Sequence, residues 1–136
     1  NPELNLSFEY PVDWEIIQPY GRHGLTILGL EHGEERDNIA VGVLSMPNFT
    51  LEEIFDMYRK DEKYIVKGSE IKKIGNRTWG ILSIYYYRNG YFFHTICPSY
   101  YLFIDLYTKS NDTKLLEIPY RMAESLQCGE TNATIP

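Results

Sequence analysis

The sequence lacks the features that mark a membrane-spanning, nucleic-acid-binding or disulfide-rich protein. No apolar run approaches the roughly 18 residues of a membrane-spanning helix. The 13 basic residues are outnumbered by 19 acidic ones, giving a net charge of −6, and an acidic chain binds phosphate backbones poorly. Two cysteines among 136 residues are too few for a disulfide framework. Repeats and linkers are also missing, so we expect a single domain over residues 1–136, with 129–136 as a flexible tail.

Signatures of catalysis and of metal binding are missing too. There is no Gly-x-Ser-x-Gly elbow, phosphate loop, dinucleotide fingerprint or His-Glu-x-x-His motif. His23 and His32 do not have a zinc spacing. The acidic segment 31–37 lacks the ligand pattern of a calcium loop, so a solvated hairpin tip is the favoured interpretation. We therefore predict a protein that is not an enzyme and that uses no cofactor and no metal.

Asparagine sequons are abundant. Five of the eight asparagines stand in Asn-x-Ser/Thr triplets, where about one is expected by chance. This excess favours an exported protein that carries glycans, although Asn and Thr are also frequent in turns. The chain begins at Asn1-Pro2 without methionine, which leaves room for a removed signal segment or a membrane anchor. The predicted glycosylation sites are Asn5, Asn48, Asn76, Asn111 and Asn132.

The two cysteines, Cys97 and Cys128, leave two interpretations open. A bridge between them would pin the C-terminal helix to a strand and contribute roughly 3–4 kcal/mol in the chain-entropy model. Two buried free thiols are the alternative.

Apolar periodicity predicts two helices among many strands. Thr50 and Glu53 form a capping box before an apolar stripe with helical spacing. A second helix is predicted over 113–127, where Pro119 either kinks it or sets its start near Ile118. The predicted strands are Leu6–Tyr10, Trp14–Ile17, Gly24–Leu30, Asn38–Met46, Ser69–Ile74, Thr78–Arg88, Tyr91–Cys97 and Tyr100–Thr108.

Tyrosine is the distinctive residue of this chain. Aromatic residues make up 15% of it, and 12 tyrosines stand beside 6 phenylalanines. A type I′ turn at Asn89-Gly90 and a turn at Pro98-Ser99 would sort the last three strands into two faces. One is an aliphatic core face that includes Leu82, Ile84 and Tyr86. The other also takes Ser83 and carries our candidate binding surface: Tyr85, Tyr87, Phe92, His94, Tyr101, Phe103, Asp105 and Tyr107.

Two interpretations of the aromatic face compete. Rings mixed with a few polar groups line ligand and partner sites. A helix that covers the face is favoured, with a residual groove at the edge of that cover. A Cys-His nucleophile pair is disfavoured, since alternation puts Cys97 and His94 on opposite faces.

The order of elements, together with three short motifs, resembles the PsbP-like family. The motifs are Phe8-Glu-Tyr-Pro-Val-Asp-Trp14, the capped helix start Thr50-Leu-Glu-Glu53 and Ser125-Leu126 near the end of the last helix. The PsbP-like fold is shared by the Ran-binding Mog protein, the thylakoid-lumen PsbP proteins and the periplasmic DcrB-type lipoproteins. The resemblance implies an α+β fold, an antiparallel sheet with helices in an α/β/α sandwich, and no catalytic residues.

The resemblance also implies partner-binding or accessory roles, often outside the cytoplasm. We therefore expect a non-enzymatic, extracytoplasmic protein-binding or assembly-accessory module, secreted, periplasmic or at the cell surface. Its partner would be a protein and not nucleic acid, and a tether upstream of Asn1 would hold it at a membrane. The alternative is a small-ligand or metal-ion binding module that uses the aromatic face.

Overall fold

The computed structural model describes residues 6–17, 25–44, 49–98 and 100–128. The predicted tail, 129–136, lies outside them. The elements in chain order are β1 Leu6–Ser7, β2 Glu15–Ile17, β3 Leu25–His32, β4 Asp37–Leu44, α1 Leu51–Lys60, β5 Ile65–Ile74, β6 Arg77–Tyr86, β7 Arg88–Cys97, β8 Tyr100–Thr108, a 3₁₀ turn Thr113–Leu116, α2 Glu117–Ser125 and β9 Gln127–Cys128.

Seven strands form one antiparallel sheet in the order β2-β3-β4-β8-β7-β6-β5, while β1 and β9 pair separately. Helix α1 packs on one face, where Phe55 joins a buried cluster with Leu82, Ile84 and Phe92. Helix α2 packs on the other, where Met122 lies in the larger core. The predicted α+β fold and its α/β/α layering are confirmed. We call the two sides the α1 face and the α2 face.

Both helix starts follow from local chemistry. The Glu53 backbone N–H donates to Thr50 Oγ1 at 3.1 Å, and the Thr50 N–H donates to Glu53 Oε1 at 3.1 Å, so the predicted capping box is confirmed. Helix α2 begins at Glu117 and places Pro119 in its first turn, where a missing N–H costs no helical hydrogen bond. Of the two alternatives, a helix kinked at Pro119 or a helix that starts near Ile118, the structure therefore has the second.

The predicted hairpin turn at Asn89-Gly90 is wrong. The chain reverses at Tyr87, with φ +63°, and Tyr86 pairs with Arg88. Asn89 lies in β7 and is held by side-chain bonds: it accepts from Lys67 Nζ at 2.7 Å and donates to the Ser110 carbonyl at 3.2 Å.

Gly90 has a packing role in place of the predicted turn role. A Cβ at Gly90 would lie 2.7 Å from Ile84 Cδ1. Asn89 therefore takes part in a buried hydrogen-bond network, and Gly90 allows Ile84 to approach the backbone closely. The dipeptide is nevertheless one that is typical of a turn.

This change of register reverses the faces of β6. Even-numbered residues of β6 pair with even-numbered residues of β7, for example Leu82 with Phe92. Because side chains alternate, Leu82, Ile84 and Tyr86 lie on the α1 face, and the prediction that placed them on the opposite face is wrong. Ser83 and Tyr85, predicted on the aromatic face, lie on the α2 face. The predicted register of β7 and β8, with Cys97 opposite Tyr100, is confirmed.

A disulfide joins Cys97 of β7 to Cys128 of β9. It ties the end of α2 to the central sheet, and both cysteines are buried in the larger core. The sequence left open a bridge or two buried free thiols, and the structure contains the bridge.

Candidate functional site

A pocket of about 320 Å³ opens where α1 leaves part of the sheet uncovered. Its floor is formed by β7 and β8, through His94, Tyr101, Phe103 and Asp105. Its wall is one side of α1, and its rim comes from the flanking segments. The described lining residues of the wall and rim are Leu44, Phe49, Ile54, Met57, Tyr58, Asp61 and Tyr64. We call this cavity the α1 pocket.

The floor follows from the register of two central strands. His94 pairs with Phe103, and Tyr101 and Asp105 lie two residues to either side of Phe103 on the same strand. All four floor side chains therefore point to the α1 face, and all four are buried. Gly42 pairs with Phe103 from β4, and the Phe103 ring occupies the space that a Cβ at Gly42 would need.

The wall is a set of aromatic contacts between α1 and the sheet. The Tyr58 ring centroid lies 5.2 Å from that of Phe92 and 5.9 Å from that of His94. Tyr64 meets Tyr58 edge-on at 5.1 Å. Such tilted and T-shaped pairs are the preferred geometries of aromatic rings. They fix the wall while leaving Met57 half exposed at the rim.

The Tyr101 hydroxyl is the unusual polar group of the floor. It is buried, and it makes no hydrogen bond with any described residue. Burial raises the pKa of Tyr101 far above its usual range, and the neighbouring Tyr58 and Asp105 raise it further. A buried hydroxyl without a partner is unfavourable. An occupant of the pocket that bonded to this hydroxyl would remove that cost.

Replacing Tyr101 with phenylalanine is expected to leave the free energy of unfolding at pH 7 unchanged or to raise it by about 1 kcal/mol. Because the folded-state pKa is raised, this tyrosine's contribution to stability is present below its ordinary pKa of about 10 and is lost as pH rises above it, by about 1.4 kcal/mol per pH unit. Urea unfolding at pH 7 and pH 11 should therefore show a smaller alkaline loss in the variant. Tyr87→Phe, at the exposed turn, should match the wild type. Equal losses in the Tyr101 variant and the wild type would contradict a buried hydroxyl.

The predicted binding surface is only partly assembled. Six of its eight members lie on the α1 face, but Phe92 is fully covered by α1 and Tyr107 packs beside Phe92 at 5.4 Å. Tyr85 lies on the opposite face, and Tyr87 stands 80% exposed in the turn. The helix cover and the residual groove expected from the sequence are therefore both present.

The contribution of α1 to this site was not predicted from the sequence. Ile54, Met57, Tyr58 and Asp61 follow the spacing i, i+3, i+4 and i+7, which puts them on one side of a helix. That spacing was visible in the sequence. The sequence does not show how α1 packs on the sheet, which is what brings Tyr58 against Phe92 and His94.

The other candidate residues do not form a chemical site. Within the described ranges, no group of three or more metal-ligating side chains is found. His32 stacks on Trp14 at 5.2 Å and lies 3.8 Å from Asp13, and His23 falls outside the described residues. In the acidic hairpin tip, the carbonyls of Glu35 and Arg36 accept hydrogen bonds from Arg88.

Two of the five sequons lie in described segments. Asn76 is exposed in the turn between β5 and β6. Asn111 is exposed, and its Oδ1 accepts from Asn89 Nδ2 at 3.1 Å. Asn5, Asn48 and Asn132 lie outside the described residues. Glycosylation stays a prediction.

A second, larger groove of about 690 Å³ lies where the end of α2 passes the turn between β5 and β6. Two of its polar side chains, Ser125 and Arg77, already bond to the protein itself. The Glu9 N–H donates to Ser125 Oγ at 2.7 Å, and Arg77 Nη1 donates to the Ile96 carbonyl at 3.0 Å. This groove is therefore the weaker ligand site. None of the helices in the described part of the chain is long and apolar enough to span a membrane.

Comparison with solved structures identifies the fold. The solution structure of a cyanobacterial PsbP from Synechocystis sp. PCC 6803 matches with a TM-score of 0.65 at 14% identity, over 94% of this chain and 89% of that chain. A crystal structure from Bacteroides thetaiotaomicron VPI-5482 matches with a TM-score of 0.61 at 12% identity, over 97% of this chain and 48% of that chain. No family model and no curated protein sequence matches the chain. The predicted PsbP-like fold is confirmed, and identities this low show the fold alone.

Proposed function

We propose that this chain is a non-enzymatic, extracytoplasmic binding domain whose α1 pocket takes a small ligand. The observation that carries the proposal is the buried Tyr101 hydroxyl, which has no partner among the described residues and lies in the floor of an aromatic pocket. Ligand pockets typically combine apolar walls with a few polar groups that orient the ligand. The α1 pocket has this composition, with His94 and Asp105 as its other polar floor groups.

The size of the pocket limits the ligand. Ligand pockets of proteins measure roughly 300–1,000 Å³, and about 320 Å³ is at the lower end of that range. A ligand with one ring, or with a branched head of similar bulk, fits this volume.

A binding role is favoured over catalysis by the residues that line the pocket. Its described lining includes no serine, threonine or cysteine, the side chains that most often act as nucleophiles. Cys97 is committed to the disulfide. The disulfide also supports a location outside the cytoplasm, since such bridges persist mainly in oxidising compartments.

The proposal is tested by a fragment screen with neutral, cationic and anionic members, read by protein-observed NMR. We expect hits that perturb Tyr58, His94 and Tyr101 and leave the signals of Asn76 and Glu124, in the second groove, unchanged. Absence of any hit in the α1 pocket, or hits confined to the second groove, would overturn the proposed ligand site.

Partner-protein binding is the second candidate, favoured by an exposed apolar patch at one end of the sheet. Ile65 pairs with Tyr85, and Tyr87 follows in the turn; their exposures are 62%, 44% and 80%. Clustered exposed apolar residues mark interaction surfaces. A photo-crosslinker at position 87 in the native host should give one discrete adduct that is missing from position 60, on the exposed side of α1. The same yield from both positions would count against this patch.

A further inference from the structure

Five Phe and Tyr side chains are among the described residues that line the α1 pocket. Rings from Phe49, Tyr58, Tyr64, Tyr101 and Phe103 line it. The face of an aromatic ring carries partial negative charge and attracts cations that lie within about 6 Å of its centre. Several rings around one cavity therefore favour a positively charged occupant.

The charged side chains that line the pocket also favour a positively charged occupant. Its described lining includes two carboxylates, Asp61 and Asp105, and no lysine or arginine. Asp61 is at the rim, where the Lys63 ammonium lies 3.8 Å away and balances it. Asp105 is 1% exposed in the floor. Asp105 is also one of the groups that raise the pKa of Tyr101, after burial and Tyr58.

A lysine of the chain itself already lies against an aromatic ring and a carboxylate at the pocket mouth. Lys63 Nζ lies 5.6 Å from the centroid of the Tyr64 ring. Lys63 is not itself among the described lining residues. A cation is thus held where Tyr64 and Asp61 meet, and the deeper rings and Asp105 offer the same chemistry to a ligand.

We infer that the ligand of the α1 pocket is a small organic cation, an amine or quaternary ammonium compound, with its charged head against the aromatic rings and opposite Asp105. This inference rests on the proposed ligand-binding function and specifies its chemistry. The ring faces select the positive head, and Asp105 supplies the compensating charge. An anionic ligand would meet no lysine or arginine among the described lining residues, where His94 is the basic side chain.

The test compares two probes of the same shape. Choline carries a trimethylammonium head, and 3,3-dimethylbutan-1-ol replaces that head with a neutral tert-butyl group. Both are titrated into the full chain by calorimetry and NMR. We expect choline to bind at least tenfold more tightly and to perturb Tyr58 and Tyr101. Equal or tighter binding of the neutral alcohol would overturn the inference.

Two isosteric variants locate the charge that matters. Asp105→Asn should weaken choline binding at least tenfold and leave the affinity for the neutral alcohol within twofold. Asp56→Asn is the matched control, since Asp56 lies on α1, outside the described lining of the pocket, and pairs with Arg59; it should change choline binding less than threefold. If Asp105→Asn does not fold, the wild-type ratio of the two affinities decides the question.

The outcomes distinguish the organic-cation inference from the proposed ligand site on which it rests. Fragment hits in the α1 pocket that are neutral or anionic, with no preference for choline, would refute the organic cation and leave the ligand site standing. A pocket that takes neither probe and no fragment would refute both.

Discussion

Replacing both Cys97 and Cys128 with alanine is expected to lower the free energy of unfolding by about 3–4 kcal/mol. The cysteines are 31 positions apart in the sequence, and cross-linking a loop of that size removes this much entropy from the unfolded chain in the chain-entropy model. A domain of this size has a total stability of about 7–20 kcal/mol. The bridge therefore supplies a large share, which urea unfolding of the two proteins would measure.

Reductant provides the control for this prediction. A thiol reductant should lower the stability of the wild type toward that of the double variant and leave the variant unchanged. Thiol trapping in the native host should find Cys97 inaccessible until reductant is added. Free thiols in the native host would contradict both the bridge and the oxidising compartment that we propose.

The elements that were predictable from the sequence are those specified by neighbouring residues. The capping box of Thr50 and Glu53 needs residues three apart, and it forms as predicted. Strand β8 has the predicted bounds, Tyr100–Thr108, and its register with β7 follows from the short connection at Pro98. The pairing of Phe92, His94, Phe103 and Asp105 on one face could therefore be derived from the sequence.

Features that depend on distant contacts were not predictable in this way. Asn89-Gly90 is a strong local turn signal, but Lys67, Ser110 and Ile84 make Asn89 and Gly90 part of a strand. A change of pairing by an odd number of positions then moves every β6 side chain to the other face. For the same reason the sequence predicted the floor of the α1 pocket and not its wall. Helix α1 reaches that floor only through tertiary packing.

Replacing Phe55 with alanine is expected to lower the free energy of unfolding by about 3–5 kcal/mol, the usual cost of emptying a buried phenylalanine site. Phe55 is fully buried, and its ring packs against Gly80, where an added Cβ would lie 2.9 Å from Phe55 Cζ. It is the residue that holds α1 to the sheet together with Leu82, Ile84 and Phe92. Met57→Ala, on the half-exposed side of the same helix, should cost no more than about 0.5 kcal/mol.

The part of the domain that Phe55→Ala destabilises matters as much as the size of the decrease in stability. A helix of 10 residues is not stable in water by itself, so without Phe55 the wall of the α1 pocket should open before the rest of the domain unfolds. The larger core, on the α2 face, does not include Phe55. Hydrogen exchange should therefore accelerate in residues 51–60 of Phe55→Ala and stay slow in β7 and β8. Uniform acceleration across the sheet would mean that α1 and the sheet unfold as one unit. In that case the pocket could not admit a ligand by local opening of its wall.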